Sequence, residues 1–297
     1  DMKKEIYYSS VAEFLQKDFN GINGRLESYS TLDKINPNTL VFAKVYKESI
    51  VEKLNEQKNL LAIVTPEYQG KIGCSYICST NPRLDYLRVI SHFFVTSKLK
   101  SGIHPSAVIE QGAKIGKNVC IGANCYIGSE VVIGENTEIH HNVVIIGKVT
   151  IGDNCYIKSG AIIGEEGFGF EINENGIPEH FPHTGSIRIG NNVFIGANTT
   201  IEIGTIGITM IEDNVKVDDL VQIGHNSSTG MNTLITVGSI LCGGVVVEEN
   251  CYVAPNVTIR EKVHVARNSF LGMGTVVIRD VDAGSTIIGN PGKLLIK

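Results

Sequence analysis

Ile115-Gly-Lys-Asn-Val-Cys-Ile121-Gly-Ala-Asn-Cys-Tyr-Ile127-Gly-Ser-Glu-Val-Val-Ile133 repeats one pattern three times: an isoleucine, a glycine after it, and a small or β-branched residue four places on. The isoleucines hold a single phase of six from Ile103 through Ile109, Ile115, Ile121, Ile127, Ile133, Ile139, Ile145, Ile151 and Ile157 to Ile163. Their partners are Ala107, Ala113, Val119, Cys125, Val131, Thr137, Val143, Val149, Cys155 and Ala161. A period of six fits neither the 3.6 of an α-helix nor a free-standing hairpin, yet alternation inside each hexad is the strand period of two. Short strands joined by tight corners bearing Gly or Asn, and stacked as coils, satisfy both requirements. The spacing therefore predicts a mainly β chain built on a parallel β-helix, each coil burying an aliphatic stack against its neighbours. With three hexads to a triangular coil, residues 18 apart lie one coil above another, about 4.8 Å along the axis.

Outward from this lattice, the pattern stops after Gly164, and residues 165–186 form an insertion holding Gly167-Phe168-Gly169-Phe170 and His180-Phe181-Pro182-His183. It resumes at Ile189, Ile195 and Ile201, absorbs four extra residues around Ile203 to Ile208, and runs in sixes from Ile211 to Val277 with Thr229 as its polar break. Cys125, Cys155 and Cys251 fall on small inward positions and read as core spacers, not as reactive thiols. The β-helix thus spans 101–297 and closes on Gly289-Asn290-Pro291-Gly292-Lys293, a short cap of turn residues. Residues 1–100 differ in kind. Ser10 to Glu13 is a capping-box pattern, Leu40 to Ala43 and Leu60 to Val64 read as strands, Tyr46 to Gln57 as a helix, and Asn81-Pro82 opens another. That is a small α/β domain, with the boundary near Lys98 to Gly102.

The 297 residues carry 26 Lys and Arg against 31 Asp and Glu, a formal charge of −5, so no basic footprint for nucleic acid is expected. The opening residues carry charges throughout, and no run of 18 apolar residues exists, so neither a signal peptide nor a membrane span is expected and the chain reads as cytoplasmic. Seven cysteines without a Cys-x-x-Cys pair suggest neither a disulfide framework nor a zinc ribbon.

The Ile-Gly-x-x-small-x hexads resemble the hexapeptide acyltransferase superfamily, whose members form left-handed parallel β-helices and assemble as homotrimers. The usual crossover rule points to a right-handed coil; the resemblance implies the left-handed one. An α/β domain, then hexads, then the Gly-Phe-Gly-Phe insertion, then Val221-Gln222-Ile223-Gly224-His225-Asn226, is similar to the N-acyltransferases of lipid A biosynthesis that act on a UDP-linked glucosamine. The closing Gly-Asn-Pro-Gly-Lys resembles acetyltransferases acting on nucleotide sugars. These resemblances imply transfer of an acyl group from acyl-CoA or acyl carrier protein to the amine of a UDP- or dTDP-linked amino sugar, in lipopolysaccharide or surface-glycan synthesis. They further imply sites at subunit interfaces, no tightly bound cofactor and no metal.

Amide formation needs a base for the attacking amine and a donor for the thioester oxyanion, both within reach of one carbon. His225 stands at the third position of its hexad, beside a corner, where side chains point outward. Gly243 lies 18 residues on, so its N–H is placed one coil above. The resemblance uses this same pairing of histidine with glycine N–H. A base imidazole needs an acceptor on its other nitrogen; Asp218, Asp219 and Glu202 are the candidate carboxylates, and the resemblance favours Asp218. Asn226, Glu202, His183 and the loop residues Phe168, Gly169 and Phe170 are candidate substrate contacts. Phe42 and Tyr46 sit roughly where the similar enzymes stack uracil, which makes the N-terminal domain a candidate for nucleotide binding. His141 shares the hexad position of His225, but residue 159 above it is a serine, so His140-His141 read as edge residues. The eight histidines show no close triad of the kind that binds zinc in carbonic anhydrases built on this scaffold. An O-acetyltransferase acting on a sugar hydroxyl, or a non-catalytic solenoid that binds nucleotide sugar, are the alternative readings.

Overall fold

The structure, a computed structural model, describes residues 5–57, 59–95 and 102–295. The chain divides into two compact units, Asp1–Lys98 and Leu99–Lys297. Most of the expected boundary segment lies outside the described residues.

In the first unit a five-stranded sheet runs in the order Phe19–Asn20, Ser75–Cys78, Leu60–Val64, Thr39–Ala43, Ser28–Tyr29. Phe19–Asn20 is antiparallel to its neighbour and the other pairs are parallel. Leu60 to Val64 is an unbroken apolar run, as a strand covered on both faces requires, and all five side chains are buried. Leu61 and Ile63 join one core with the helices Tyr8–Leu15 and Pro82–Phe93; Leu60, Ala62 and Val64 join another beside the helix Glu48–Asn55. Asn81 caps the helix after it, its side chain accepting from Leu84 N–H at 3.2 Å, with Pro82 at the first helical position. Ser10 to Glu13 does not begin a helix. It lies inside Tyr8–Leu15, which starts after Tyr7 with no side-chain cap.

The second unit is the parallel β-helix. Its first face stacks Cys120–Ile121, Glu138–Ile139 and Tyr156–Ile157 onward to Phe270–Leu271 and Thr286–Ile288. The second runs from Val108–Ile109 and Tyr126–Ile127 to Val276–Val277, and the third from Lys114–Ile115 and Val132–Ile133 to His264–Val265. Register follows the 18-residue rule, with Ile121 opposite Ile139, Ile127 opposite Ile145 and Ile133 opposite Ile151. Across the insertion Ile151 pairs Ile189, and across the four extra residues Ile189 pairs Ile211, so the lattice closes around both interruptions without losing phase.

The isoleucine ladder from Ile121 through Ile223 is buried. So are Cys125, Cys155 and Cys251, each no more than 2% exposed, as core spacers. Polar residues on the small positions bond to backbone within the core: Ser227 Oγ donates to Cys242 O at 3.0 Å and Thr233 Oγ1 to Glu248 O at 2.9 Å. At most corners the left-handed residue is an asparagine, as at Asn118, Asn124 and Asn136, and Asn118 Nδ2 donates to Asn136 Oδ1 at 3.1 Å. Where a glycine follows the isoleucine it serves a different need: a Cβ at Gly122 would meet the His140 carbonyl carbon at 2.7 Å. Glycine there lets successive coils approach. No helix among the described residues is long and apolar enough to cross a membrane.

Candidate functional site

The strand Gln222–Ile223 delivers Gly224 and His225 to the corner between the second and third faces. His225 is half-buried, and its backbone N–H is held by Glu202 Oε2 at 3.0 Å while Gln222 Nε2 donates to Glu202 Oε1 at 3.0 Å. Glu202, one coil below, therefore caps the corner that presents the imidazole. Asn226 follows in the left-handed conformation, φ 61°.

The ring's tautomer follows from its neighbours. Asn226 Oδ1 lies 3.0 Å from Thr205 N and 2.8 Å from Thr205 Oγ1. A backbone N–H only donates, so the atom facing it is the amide oxygen. The same oxygen lies 3.0 Å from His225 Nδ1, which must then carry a proton, so that in the neutral ring the lone pair is on Nε2. That lone pair faces Gly243, one coil up: a Cβ on residue 243 would stand 2.5 Å from His225 Nε2. Gly243 N–H donates to no acceptor among the described residues. A base and an unengaged backbone donor thus share one notch. Cys242, beside Gly243, offers no ready nucleophile, because burial, with the Glu261 and Glu202 charges, pushes its thiol above the ordinary range.

The insertion crosses this notch. A Cβ at Gly167 would meet Glu202 Oε2 at 2.5 Å and His225 Cδ2 at 2.9 Å, so the loop lies directly on both side chains. His183 is buried, its ring edge-on to His225 with centroids 5.4 Å apart, and Gly169 packs on its other side. Phe168 is 87% exposed and packs on Phe170 with the rings tilted 56°, centroids 4.9 Å apart. Glu166 Oε2 lies 3.0 Å from His180 Nε2. The structure thus gathers His225, Gly243, Asn226, Glu202, Gly169 and His183 around one notch, with Phe168 and Phe170 on the loop that covers it.

Two expectations are corrected. Asp218 does not orient His225 within the chain. It follows Lys216–Val217, so it stands at the corner between the first and second faces, and Nδ1 is held instead by the neutral oxygen of Asn226. Asp219 shares the Asp218 corner, where Lys158 Nζ at 2.5 Å and Ala197 N–H at 2.7 Å occupy it; the Lys158 hydrogen bond leads in holding its carboxyl below the usual range. Phe42 and Tyr46 form no shared stacking platform. Phe42 packs on Tyr86 in one core, 4.8 Å between centroids, and Tyr46 on Tyr68 in the other, 5.1 Å. Phe42 lies in the strand Thr39–Ala43, whereas Tyr46 follows after the strand has ended. His141 is an edge residue whose Nδ1 accepts from Ala123 N–H at 2.9 Å.

Thr205 and Glu166 were not singled out from the sequence. Thr205 lies in the four-residue expansion of the lattice, which marks that corner as irregular, and Glu166 immediately precedes the loop glycine that touches His225.

Comparison with known proteins finds relatives of the chain. Residues 130–165 match a model described as bacterial transferase hexapeptide (six repeats), and residues 112–147 and 186–218 match one described as hexapeptide repeat of succinyl-transferase. A UDP-3-O-acylglucosamine N-acyltransferase of Albidiferax ferrireducens is 32% identical over 277 residues, 92% of this chain and 83% of that protein. A Legionella pneumophila protein named UDP-3-O-acylglucosamine N-acyltransferase 1 is 34% identical over 219 residues, 66% of this chain and 60% of its own length. The chain therefore spans less than two thirds of that relative. Among solved structures, a UDP-N-acetylglucosamine acyltransferase from Campylobacter jejuni superposes with a TM-score of 0.61 at 28% identity, covering 65% of this chain and 74% of that one.

Proposed function

The chain belongs to the UDP-3-O-acylglucosamine N-acyltransferase family, and from that premise we propose that it transfers an acyl group from a phosphopantetheine thioester to the amine of a nucleotide-linked amino sugar. The observation that carries the reading is the pairing of His225 Nε2, which holds the lone pair of the neutral ring, with the N–H of Gly243 one coil away, which has no acceptor among the described residues.

In this reading the acyl carbonyl oxygen lies against Gly243 N–H and the sugar amine against His225 Nε2. As the amine nitrogen attacks, His225 takes its proton and Gly243 N–H stabilises the negative charge gathering on the carbonyl oxygen. Collapse of that intermediate breaks the carbon–sulfur bond, and His225 returns the proton to the departing thiol. Asn226 Oδ1 holds Nδ1–H throughout, so the lone pair stays aimed at the acceptor. Glycine at 243 leaves room for the thioester that any side chain would fill. No covalent enzyme intermediate and no resident cofactor enter.

The relatives' names support a UDP-linked glucosamine derivative as acceptor, and the exposed Phe168 and Phe170 offer flat apolar faces for a sugar or base. Nucleotide binding by the N-terminal unit, a homotrimer with sites at its seams, the left hand of the coil and a cytoplasmic location alongside acyl-CoA or acyl carrier protein are carried by the resemblance. The deciding experiment is a thiol-release screen of UDP- and dTDP-linked amino sugars against short acyl-CoAs and acyl carrier proteins. Stoichiometric thiol release with an amide product supports the reading. Binding of nucleotide sugar with no thioester consumed by any donor removes it, and an ester product reassigns the acceptor to a hydroxyl.

A further inference from the structure

The insertion holds a second cluster whose chemistry the acyl-transfer reading does not use. Glu166 stands before the loop's first glycine, and His180 and His183 flank Phe181-Pro182 on its returning arm. One ligand atom from each lies within 4.8 Å of the other two. His183 is 7% exposed, and its Nε2 has no hydrogen-bond partner among the described residues. Its Nδ1 lies 2.8 Å from Phe181 O, and because a carbonyl only accepts, Nδ1 carries the proton and Nε2 a buried, unpartnered lone pair. Such a lone pair is costly unless something electrophilic meets it.

The surroundings match what a metal ligand needs. A histidine that binds through Nε2 is oriented by donating its other N–H, often to a backbone carbonyl, and a ligating carboxylate is itself held by hydrogen bonds. His183 donates to Phe181 O, and Glu166 Oε1 accepts from His183 N–H at 3.0 Å, which leaves Glu166 Oε2 turned toward His180 Nε2. The His180 and His183 rings are nearly parallel, 14° apart, and Phe170 lies 5.4 Å from His180, an apolar wall on that side.

We propose that Glu166, His180 and His183 bind one divalent cation of the zinc class through Glu166 Oε2, His180 Nε2 and His183 Nε2. Two imidazoles and one carboxylate favour Zn²⁺ or Co²⁺ over the all-oxygen preference of Mg²⁺ and Ca²⁺. Drawing the three atoms onto ligand bonds of about 2.0–2.2 Å needs only side-chain adjustment of roughly 1 Å. The cation ties the outgoing arm of the loop to its returning arm, beside the ring of His225. A pure hydrogen-bond role for the Glu166–His180 pair leaves the buried His183 Nε2 unexplained.

The test uses the full chain without a histidine tag, stripped with a chelator, dialysed, and titrated with ZnCl₂ by calorimetry and with CoCl₂ by visible absorption. One equivalent of each metal per chain is expected, with the intense d–d bands of a low-coordinate Co²⁺. His180→Gln, His183→Gln and Glu166→Gln should each weaken binding by about 10- to 100-fold, and His141→Ala should leave it unchanged. Circular dichroism reports whether each variant keeps its β-helix. Absence of a one-equivalent site, or equal affinity in folded His183→Gln and the parent, overturns the proposal. The readout is binding, so it stands apart from whether acyl transfer is found.

Discussion

His225 Nε2 points into the space that a side chain on Gly243 would fill, with only 2.5 Å between the nitrogen and the position of a Cβ there. Gly243 is not among the glycines held at positive φ, so an alanine meets no backbone strain, and the nearest atoms to its methyl all belong to the imidazole. Gly243→Ala should therefore cost about 1–3 kcal/mol of stability as an overpacked contact while lowering kcat/KM by about 10²-fold or more through displacement of the base and crowding of the oxyanion donor. Thermal melts and steady-state thiol release on the same preparation separate the two effects. Near-normal turnover would show that the notch is not where the thioester sits.

Asn226 holds three donors on one oxygen, so its loss should be felt at the imidazole. Asn226→Ala is expected to reduce kcat more than Asp218→Ala, because Asp218 stands at a different corner. Asn226→Asp keeps an acceptor and tolerates the left-handed backbone, so it should retain more activity than the alanine variant. Comparable loss from Asp218→Ala alone would instead assign that carboxylate to a histidine of a neighbouring subunit.

Thr229 is the polar break in the aliphatic ladder. It is fully buried between Ile211 and Val247, and its hydroxyl has no partner among the described residues. Thr229→Val keeps the shape and removes the unpaired group, so the protein should gain about 1 kcal/mol. Urea denaturation checks this; a destabilised variant would show that the hydroxyl is satisfied in solution.

In the N-terminal unit Asp85 is buried with Lys17 Nζ at 2.7 Å and Ser79 Oγ at 2.5 Å. Burial alone would raise its carboxyl, but the Lys17 and Ser79 hydrogen bonds and the Lys17 and Arg88 charges outweigh it and hold the carboxyl below its ordinary value. A lowered folded value gives stability that is present above the unfolded pKa and lost as pH falls through the folded one. The strand Leu60–Val64 should thus lose hydrogen-exchange protection as pH drops below about 4, after correction for intrinsic exchange. Asp85→Asn should lack that component and be less stable at pH 7 by roughly 1–3 kcal/mol. Parallel pH dependence in parent and variant would contradict the assignment.

The lattice was legible because nearly every hexad repeats the same inward choice, so periodicity alone placed Ile121 beneath Ile139 and His225 beneath Gly243. What surrounds the imidazole was not. The acceptor for Nδ1 proved to be the adjacent Asn226, fixed by Thr205 from an expansion of the lattice whose path no period describes. The resemblance favoured Asp218, but a coil turns through one corner every six residues, so seven residues upstream of His225 it stands at another edge. The passage of Gly167 over His225, and the meeting of Glu166 with His180 and His183, depend on how a 22-residue insertion returns to the lattice. In the first unit the strand ends at Ala43, so no strand period carries from Phe42 to Tyr46, and Ser10 to Glu13 carried the right letters one turn too late.

The most direct test is the single-turnover rate of His225→Ala with the best donor and acceptor from the thiol-release screen, on protein whose circular dichroism and oligomeric state match the parent. Removal of a general base predicts a fall of about 10²–10⁴-fold. A rate within a few fold of the parent would contradict the assignment of His225 as the group that takes the acceptor's proton.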